Sequence, residues 1–194
     1  MNIKTKMKAL KKDLILEKAS NLFEEIGYEN MKIADLAKDL GVSIGTIYSL
    51  FNNKEGLYLA YIAHQIDNFF SEYQEKVSTK STPKQKIESF IELKFDYYNK
   101  KRKAIEQSAT DNPLFFHSLY REHTNPFGRV YEYLAESFME LNPKLDTQQA
   151  MRMAFAVNGL SDGYIMQWLE IGDELLSRVD EATYLSVTMV KGCK

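Results

Sequence analysis

Cysteine is nearly missing from this chain of 194 residues; Cys193, beside the C-terminal end, is the only thiol. One thiol cannot build an intramolecular disulfide framework, and such usage suits a reducing compartment, so a cytoplasmic location is expected. Only four prolines and nine glycines interrupt long stretches rich in Ala, Leu, Glu and Lys, which favours helices over strands and turns. No apolar run has the length needed to cross a bilayer. The N-terminus lacks the apolar segment of an export signal, so no membrane partner is expected. Enzyme signatures are missing as well. There is no glycine-rich phosphate loop and no Gly-x-Ser-x-Gly nucleophile turn. The three histidines, His64, His117 and His123, lack the Glu-x-x-His spacing of a di-iron bundle. The expectation is therefore a protein that is not an enzyme, with no cofactor and no metal.

What is present reads as an ordinary globular chain, 44% hydrophobic and 27% charged, able to bury a substantial core. The net charge of −2 conceals a polarity. Lys4, Lys6, Lys8, Lys11 and Lys12 fall within residues 1–12 with no acidic residue among them, which leaves 20 basic against 27 acidic residues in the remainder. Such blocks mark either a solvated, frayed terminus or an arm that reaches a polyanion. The position of this one, directly before the motif below, favours the arm.

Helical periodicity predicts a first helix over about Lys11 to Ile26, with Leu14, Ile15, Ala19, Leu22, Phe23 and Ile26 on one face and Gly27 as its stop. A second helix is expected over about Lys32–Asp39, burying Ile33, Leu36, Ala37 and Leu40. Gly41 makes the turn, and Ser43 caps a short third helix ending near Leu50. Asn52 with Glu55 reads as the capping box of a fourth helix running towards Lys76. Residues 78–83 form the clearest break. Thr82, Pro83 and Gln85 match the start of another helix. Asn112-Pro113 and Asn125-Pro126 mark further starts, and Asn142-Pro143 marks a stop. Asp146 with Gln149 opens a long helix to about Gly172, and a last one lies within 173–191. The fold class is all-α, with about nine helices. The chain is expected to divide into an N-terminal arm with three helices over 1–52 and a larger helical domain over 53–194.

Two short helices crossing steeply need a small residue at closest approach, a glycine in the turn, and an apolar residue to pack back. Ala37, Gly41 and Ile47 supply these in order. The outward face of the third helix then offers Ser43, Gly45, Thr46 and Ser49, small or polar groups able to approach a groove floor. Ser43 also lies at a helix N-terminus, where free N–H groups favour a phosphate.

The stretch Ile15 to Ile62 resembles the DNA-binding domain of the tetracycline-repressor (TetR) family. The matching positions are Leu22-Phe23, Gly27-Tyr28, Ile33, Leu36-Ala37, Gly41-Val42-Ser43, Gly45-Thr46-Ile47-Tyr48, Phe51 and Lys54-Glu55. The resemblance covers about a quarter of the chain. It implies a recognition helix at Ser43, Ile44, Gly45, Thr46, Tyr48 and Ser49, phosphate contacts by Tyr48 and Lys54, and backbone contact near Met31 and Lys32. It also implies a homodimer on double-stranded operator DNA, released by a small-molecule effector. Two positions depart from the family pattern. Met31-Lys32 stands where Thr or Ser is usual, and Leu50, which cannot donate a hydrogen bond, stands where an aromatic or His is usual. Taken from the residues alone, Tyr48 is either a core residue with an exposed hydroxyl or a phosphate contact. Lys54 is either a solvated first-turn lysine or a phosphate contact.

Beyond residue 62 the sequence offers composition more than motif. Dense aromatics serve equally as core or as lining for an apolar or aromatic ligand. Phe95, Tyr98, Phe116, Tyr131, Asn158 and Trp168 are the candidates for such a site. Asn158 and Asp162, four apart in an apolar stripe, either orient a ligand, bond across a dimer seam, or lie at an exposed edge. The segment Asn158–Leu169 resembles a helix of the family's dimer bundle, where Gly159 and Gly163 permit close approach. The expected function is a DNA-binding transcriptional regulator, by default a repressor released by a largely apolar ligand. One alternative is a helix-turn-helix regulator acting through protein contacts alone. Another is a helical binding module that no longer reads DNA.

Overall fold

A computed structural model describes residues 2–78, 82–102, 127–172 and 174–193. Within them lie eight α-helices and no strand, in the all-α class expected from the scarcity of breakers. The described chain forms two compact units, divided within the fourth helix between Gln65 and Ile66.

The first unit opens with α1 (Ile3–Asn30), which begins well before the expected Lys11. Six of the eight residues Ile3 to Leu10 are Lys, Met, Ala or Leu, all strong helix formers, and the Asn2 side chain accepts from the Lys4 N–H at 3.3 Å. The periodicity missed them because the apolar phase shifts. Ile3, Met7, Leu10 and Leu14 make one stripe, all of it exposed, whereas the buried stripe starts at Ile15 and continues through Ala19 and Phe23. Gly27 interrupts the helix at φ 75°, a value that glycine adopts without strain. The helices α2 (Ile33–Asp39) and α3 (Ile44–Phe51) follow.

The core of this unit joins Ile15, Ala19 and Phe23 to Leu36, Ala37, Ile47 and Phe51, together with Leu57, Tyr58 and Tyr61 from α4 (Lys54–Ser78). The sequence boundary between residues 52 and 53 thus precedes side chains that pack with the N-terminal helices. Asn52 does not cap α4. It ends α3 at φ 68°, and Asn53 takes the cap instead, its Oδ1 accepting from the Gly56 N–H at 2.7 Å.

The second unit uses the remainder of α4 with α5 (Pro83–Lys100), α6 (Gly128–Leu141), α7 (Thr147–Ile171) and α8 (Val179–Gly192). Thr82 and Gln85 form the capping box expected of them, and Asp146 and Gln149 form the other. Helix α5 is the hub: Ile87, Phe90, Ile91 and Phe95 are fully buried on it. Asn142 stops α6, and its Nδ2 donates to the Val190 and Cys193 carbonyls at 2.9 and 3.0 Å, which anchors the end of α8. Gly172 closes α7 in the left-handed region, and a 3-10 turn at Leu175–Arg178 leads into α8. Asn112-Pro113 and Asn125-Pro126 lie outside the described residues.

Candidate nucleic-acid interface

The turn between α2 and α3 is built by backbone bonds that only a left-handed residue allows. Gly41 adopts φ 63°, the Val42 N–H reaches the Ala37 carbonyl at 3.0 Å, and the Gly41 N–H reaches that of Lys38 at 3.1 Å. This pair of bonds satisfies the last carbonyls of α2 and reverses the chain. Ser43 then caps α3: its Oγ accepts from the Thr46 N–H at 3.1 Å and lies 2.9 Å from the Thr46 hydroxyl. The Ser49 hydroxyl donates to the Thr46 carbonyl at 2.8 Å.

Ile47 and Phe51 seal the inner face of α3, while Ser43, Ile44, Gly45, Tyr48 and Ser49 are exposed on it and Thr46 is half-buried. Tyr48 is 45% exposed, which removes the reading of it as a core residue. Lys32, exposed at the N-cap of α2, makes no side-chain capping bond. Its neighbour Met31 is 1% exposed, so that apolar side chain belongs to the core and cannot meet a DNA backbone. Leu50 packs partly buried against the same core. Lys54 is occupied within the protein: Nζ donates to the Glu29 carbonyl at 3.2 Å and stands 4.5 Å from the Tyr28 ring centroid. It ties the start of α4 to the segment leading into α2.

The lysines of the first turns are carried on a helix, not on a loose arm. Lys8 and Lys12 continue the Ile15–Ala19 stripe, and the Lys12 ammonium lies 5.6 Å from the Phe51 ring centroid at the end of α3. Positive charge on α1 is thereby brought beside the end of α3, which has no Lys or Arg of its own.

In the second unit two of the proposed ligand residues, Asn158 and Tyr131, both neighbour Asp162. Phe95 is fully buried, beside Tyr164. Tyr98 packs against Tyr97 on the last turn of α5. Trp168 is buried, with the Arg102 guanidinium 4.8 Å from its ring centroid. Tyr131 is buried against Phe155 at 4.4 Å between centroids. Phe116 lies outside the described residues.

Asn158 and Asp162 have an intramolecular partner that the sequence reading missed, Lys94 of α5. Its Nζ donates to Asp162 Oδ1 at 2.6 Å, Asn158 Oδ1 at 2.7 Å and the Asn158 carbonyl at 3.2 Å. Burial pushes the Lys94 pKa down, opposed by the charge and hydrogen bond of Asp162. Burial, followed by the Asp162 charge, pushes Tyr131 up to about 12. The visible signal was a lysine set at helical spacing from Ile87, Phe90 and Ile91. Among the described residues, no group of three or more His, Cys, Asp or Glu is placed to hold a metal.

Comparison with known proteins accords with this geometry. Residues 15–61 match the family model for bacterial regulatory proteins of the tetR family. The HTH-type transcriptional repressor ComR of Escherichia coli (strain K12) is 37% identical over 70 residues, 36% of this chain and 33% of that protein. The fatty acid metabolism regulator protein of Bacillus subtilis (strain 168) is 31% identical over 81 residues, 42% of each. The match thus spans about a third to two fifths of these curated relatives. The crystal structure of the transcriptional regulator FadR from Bacillus subtilis in complex with stearoyl-CoA superposes with a TM-score of 0.66, covering 90% of this chain and 96% of that one at 22% identity. The fold and the N-terminal site define an all-α chain with a helix-turn-helix in its first unit. The likeness to the tetR family rests on these 47 N-terminal residues, about a quarter of the chain.

Proposed function

We propose that the protein acts as a homodimer on double-stranded operator DNA, setting α3 of each copy into successive major grooves about 34–36 Å apart. The observation that carries this reading is the split character of α3. Ile47 and Phe51 are sealed beneath it while Ser43, Ile44, Gly45, Tyr48 and Ser49 face outward. Gly45 permits close approach, Thr46 and Ser49 read base edges, and Ser43, Tyr48 and Lys32 meet phosphates. Lys54 assists by fixing the Tyr28–Glu29 segment against α4. The second copy docks on the outer face of α7 and α8. There a Cβ at Gly159 or Gly163 would meet open space, and Met166 and Tyr184 are 60% and 67% exposed.

Repression is the default action, relieved by a small, largely apolar or aromatic effector bound in the second unit. An acyl-CoA bound to a regulator of the same fold supports an effector role for this unit. The effector must favour the non-binding arrangement of α4 to release DNA, with a coupling of about 1–3 kcal/mol. Selection from a random-sequence DNA library tests the reading. An inverted repeat with half-site centres about one helical turn apart is expected; bound sequences sharing no motif would count against base reading by α3.

A further inference from the structure

Lys94 is 8% exposed, and it carries a charge into the junction of α5 and α7, where an apolar side chain of similar volume would serve packing as well. Two of its three acceptors, the amide and backbone oxygens of Asn158, are neutral and fixed to α7. The third, Asp162, is its only ionic partner among the described residues, and the Asp162 side chain is 47% exposed. Asp162 is also held from behind, its Oδ2 accepting from Asn158 Nδ2 at 2.9 Å. It can therefore turn to water without losing every bond, leaving a buried ammonium and two preset acceptors.

An aromatic wall adjoins this point. The buried Tyr131 ring is 4.4 Å from that of Phe155, which is 52% exposed, and stacks on Phe127 at 6.0 Å. Phe155 lies seven residues before Asp162, on the same edge of α7. Gly159 and Gly163 lie about a quarter turn or less further round and Met166 continues the edge itself, so this edge borders the face offered to a second copy. An exposed aromatic ring beside a buried cation suits an amphiphile with an anionic head and an apolar body.

We propose that this junction binds the carboxylate of an apolar acyl or aryl acid, which replaces Asp162 on Lys94 while its apolar part lies along Phe155, Tyr131 and Phe127. The exchange keeps one anion on one buried cation and creates no new desolvated charge. It deepens the effector reading above and rests on it.

The test uses the full chain and three acid–alcohol pairs: decanoate with 1-decanol, palmitate with 1-hexadecanol, and 3-phenylpropionate with 3-phenylpropanol. Calorimetric titration should show at least one acid binding roughly tenfold or more tighter than its alcohol. Lys94→Met should erase that preference. Asp162→Asn should tighten the acid severalfold, because it removes the competing anion; this opposite sign separates partner exchange from a merely structural pair and does not depend on Lys94→Met folding. No acid preference in any pair overturns the proposal, and so does an Asp162→Asn variant that loses the acid. Alcohols that release operator DNA as well as the acids would remove Lys94's role and leave the effector reading standing. Acid binding that never alters DNA affinity would leave the site and remove the effector reading.

Discussion

Gly56 rests against Phe51 so closely that a Cβ at Gly56 would overlap the Phe51 carbonyl oxygen. The last residue of α3 thus seats directly on the first turn of α4, with the Gly56 N–H bound to Asn53. Overlap with backbone cannot be relieved by a rotamer change, so α3 and α4 must part to admit a methyl group. Gly56→Ala should destabilise the first unit by about 1–3 kcal/mol. Urea unfolding followed by far-UV circular dichroism would detect it. Fluorescence of Trp168, which lies in the other unit, should change less.

Ser43 combines two tasks that substitution can separate. Ser43→Ala removes the bond to the Thr46 N–H and should cost about 1 kcal/mol of stability, with weaker DNA binding. Ser43→Asp keeps a capping oxygen and suits the helix dipole, so stability should hold. Its negative charge would face the DNA backbone, and affinity should fall further than for alanine. Thermal unfolding and DNA titration of both variants check the opposite orders.

Dimerisation through α7 and α8 should fail when bulk or charge enters the exposed face. Gly163→Arg and Tyr184→Glu alter side chains that meet nothing or are largely exposed in one chain, so folding should persist. Sedimentation velocity should show monomers, and affinity for a two-half-site operator should fall by at least about a hundredfold as avidity is lost. Unchanged dimers would move the interface elsewhere.

Tyr131 links stability to alkaline pH. Its folded pKa, about 12, exceeds the ordinary value of 10.0, so the folded state retains a proton that the unfolded chain releases first. The stabilisation is fully present below pH 10 and is lost as pH rises through about 12. Tyr131→Phe should abolish this part of the alkaline slope, on the order of 1–2 kcal/mol. Lys94, whose pKa is pushed down, contributes the opposite slope below its ordinary range. Comparing Tyr131→Phe with the natural chain at equal pH cancels it. Urea midpoints between pH 9 and 12 provide the measurement.

Local signals were the legible ones. Gly41, Ser43, the Thr82–Gln85 pair and the Asp146–Gln149 pair each announce a backbone need within four residues, and each occupies the expected place. The Ile15, Ala19 and Phe23 stripe of α1 followed from period, whereas Leu14 and Ile26, expected on the same face, are 52% and 39% exposed, and Thr46, expected on the outward face of α3, is half-buried. The Asn52 cap was misplaced by one residue, because adjacent asparagines offer the same chemistry and only the positive φ of Asn52 separates them. The start of α1 was missed because its first turns present their apolar side chains away from the core. Gly56 and Lys94 could not be assigned locally. One is defined by a carbonyl on the preceding helix, the other by acceptors on α7 more than 60 residues away. The aromatics of the second unit remain core or lining according to packing that composition does not encode.

The central claim, sequence-specific reading by the outward face of α3, is tested most directly by titrating the library-selected DNA against a scrambled version across a salt series. Binding to the selected sequence should be at least about a thousandfold tighter at physiological salt. Thr46→Ala should lower that ratio. Replacing Lys8, Lys11 and Lys12 by Gln should weaken both DNAs alike and flatten the log–log salt slope by about 0.9 for each phosphate no longer neutralised. Equal affinity for both sequences, with Thr46→Ala and the lysine variants losing binding in the same proportion on each, would contradict it.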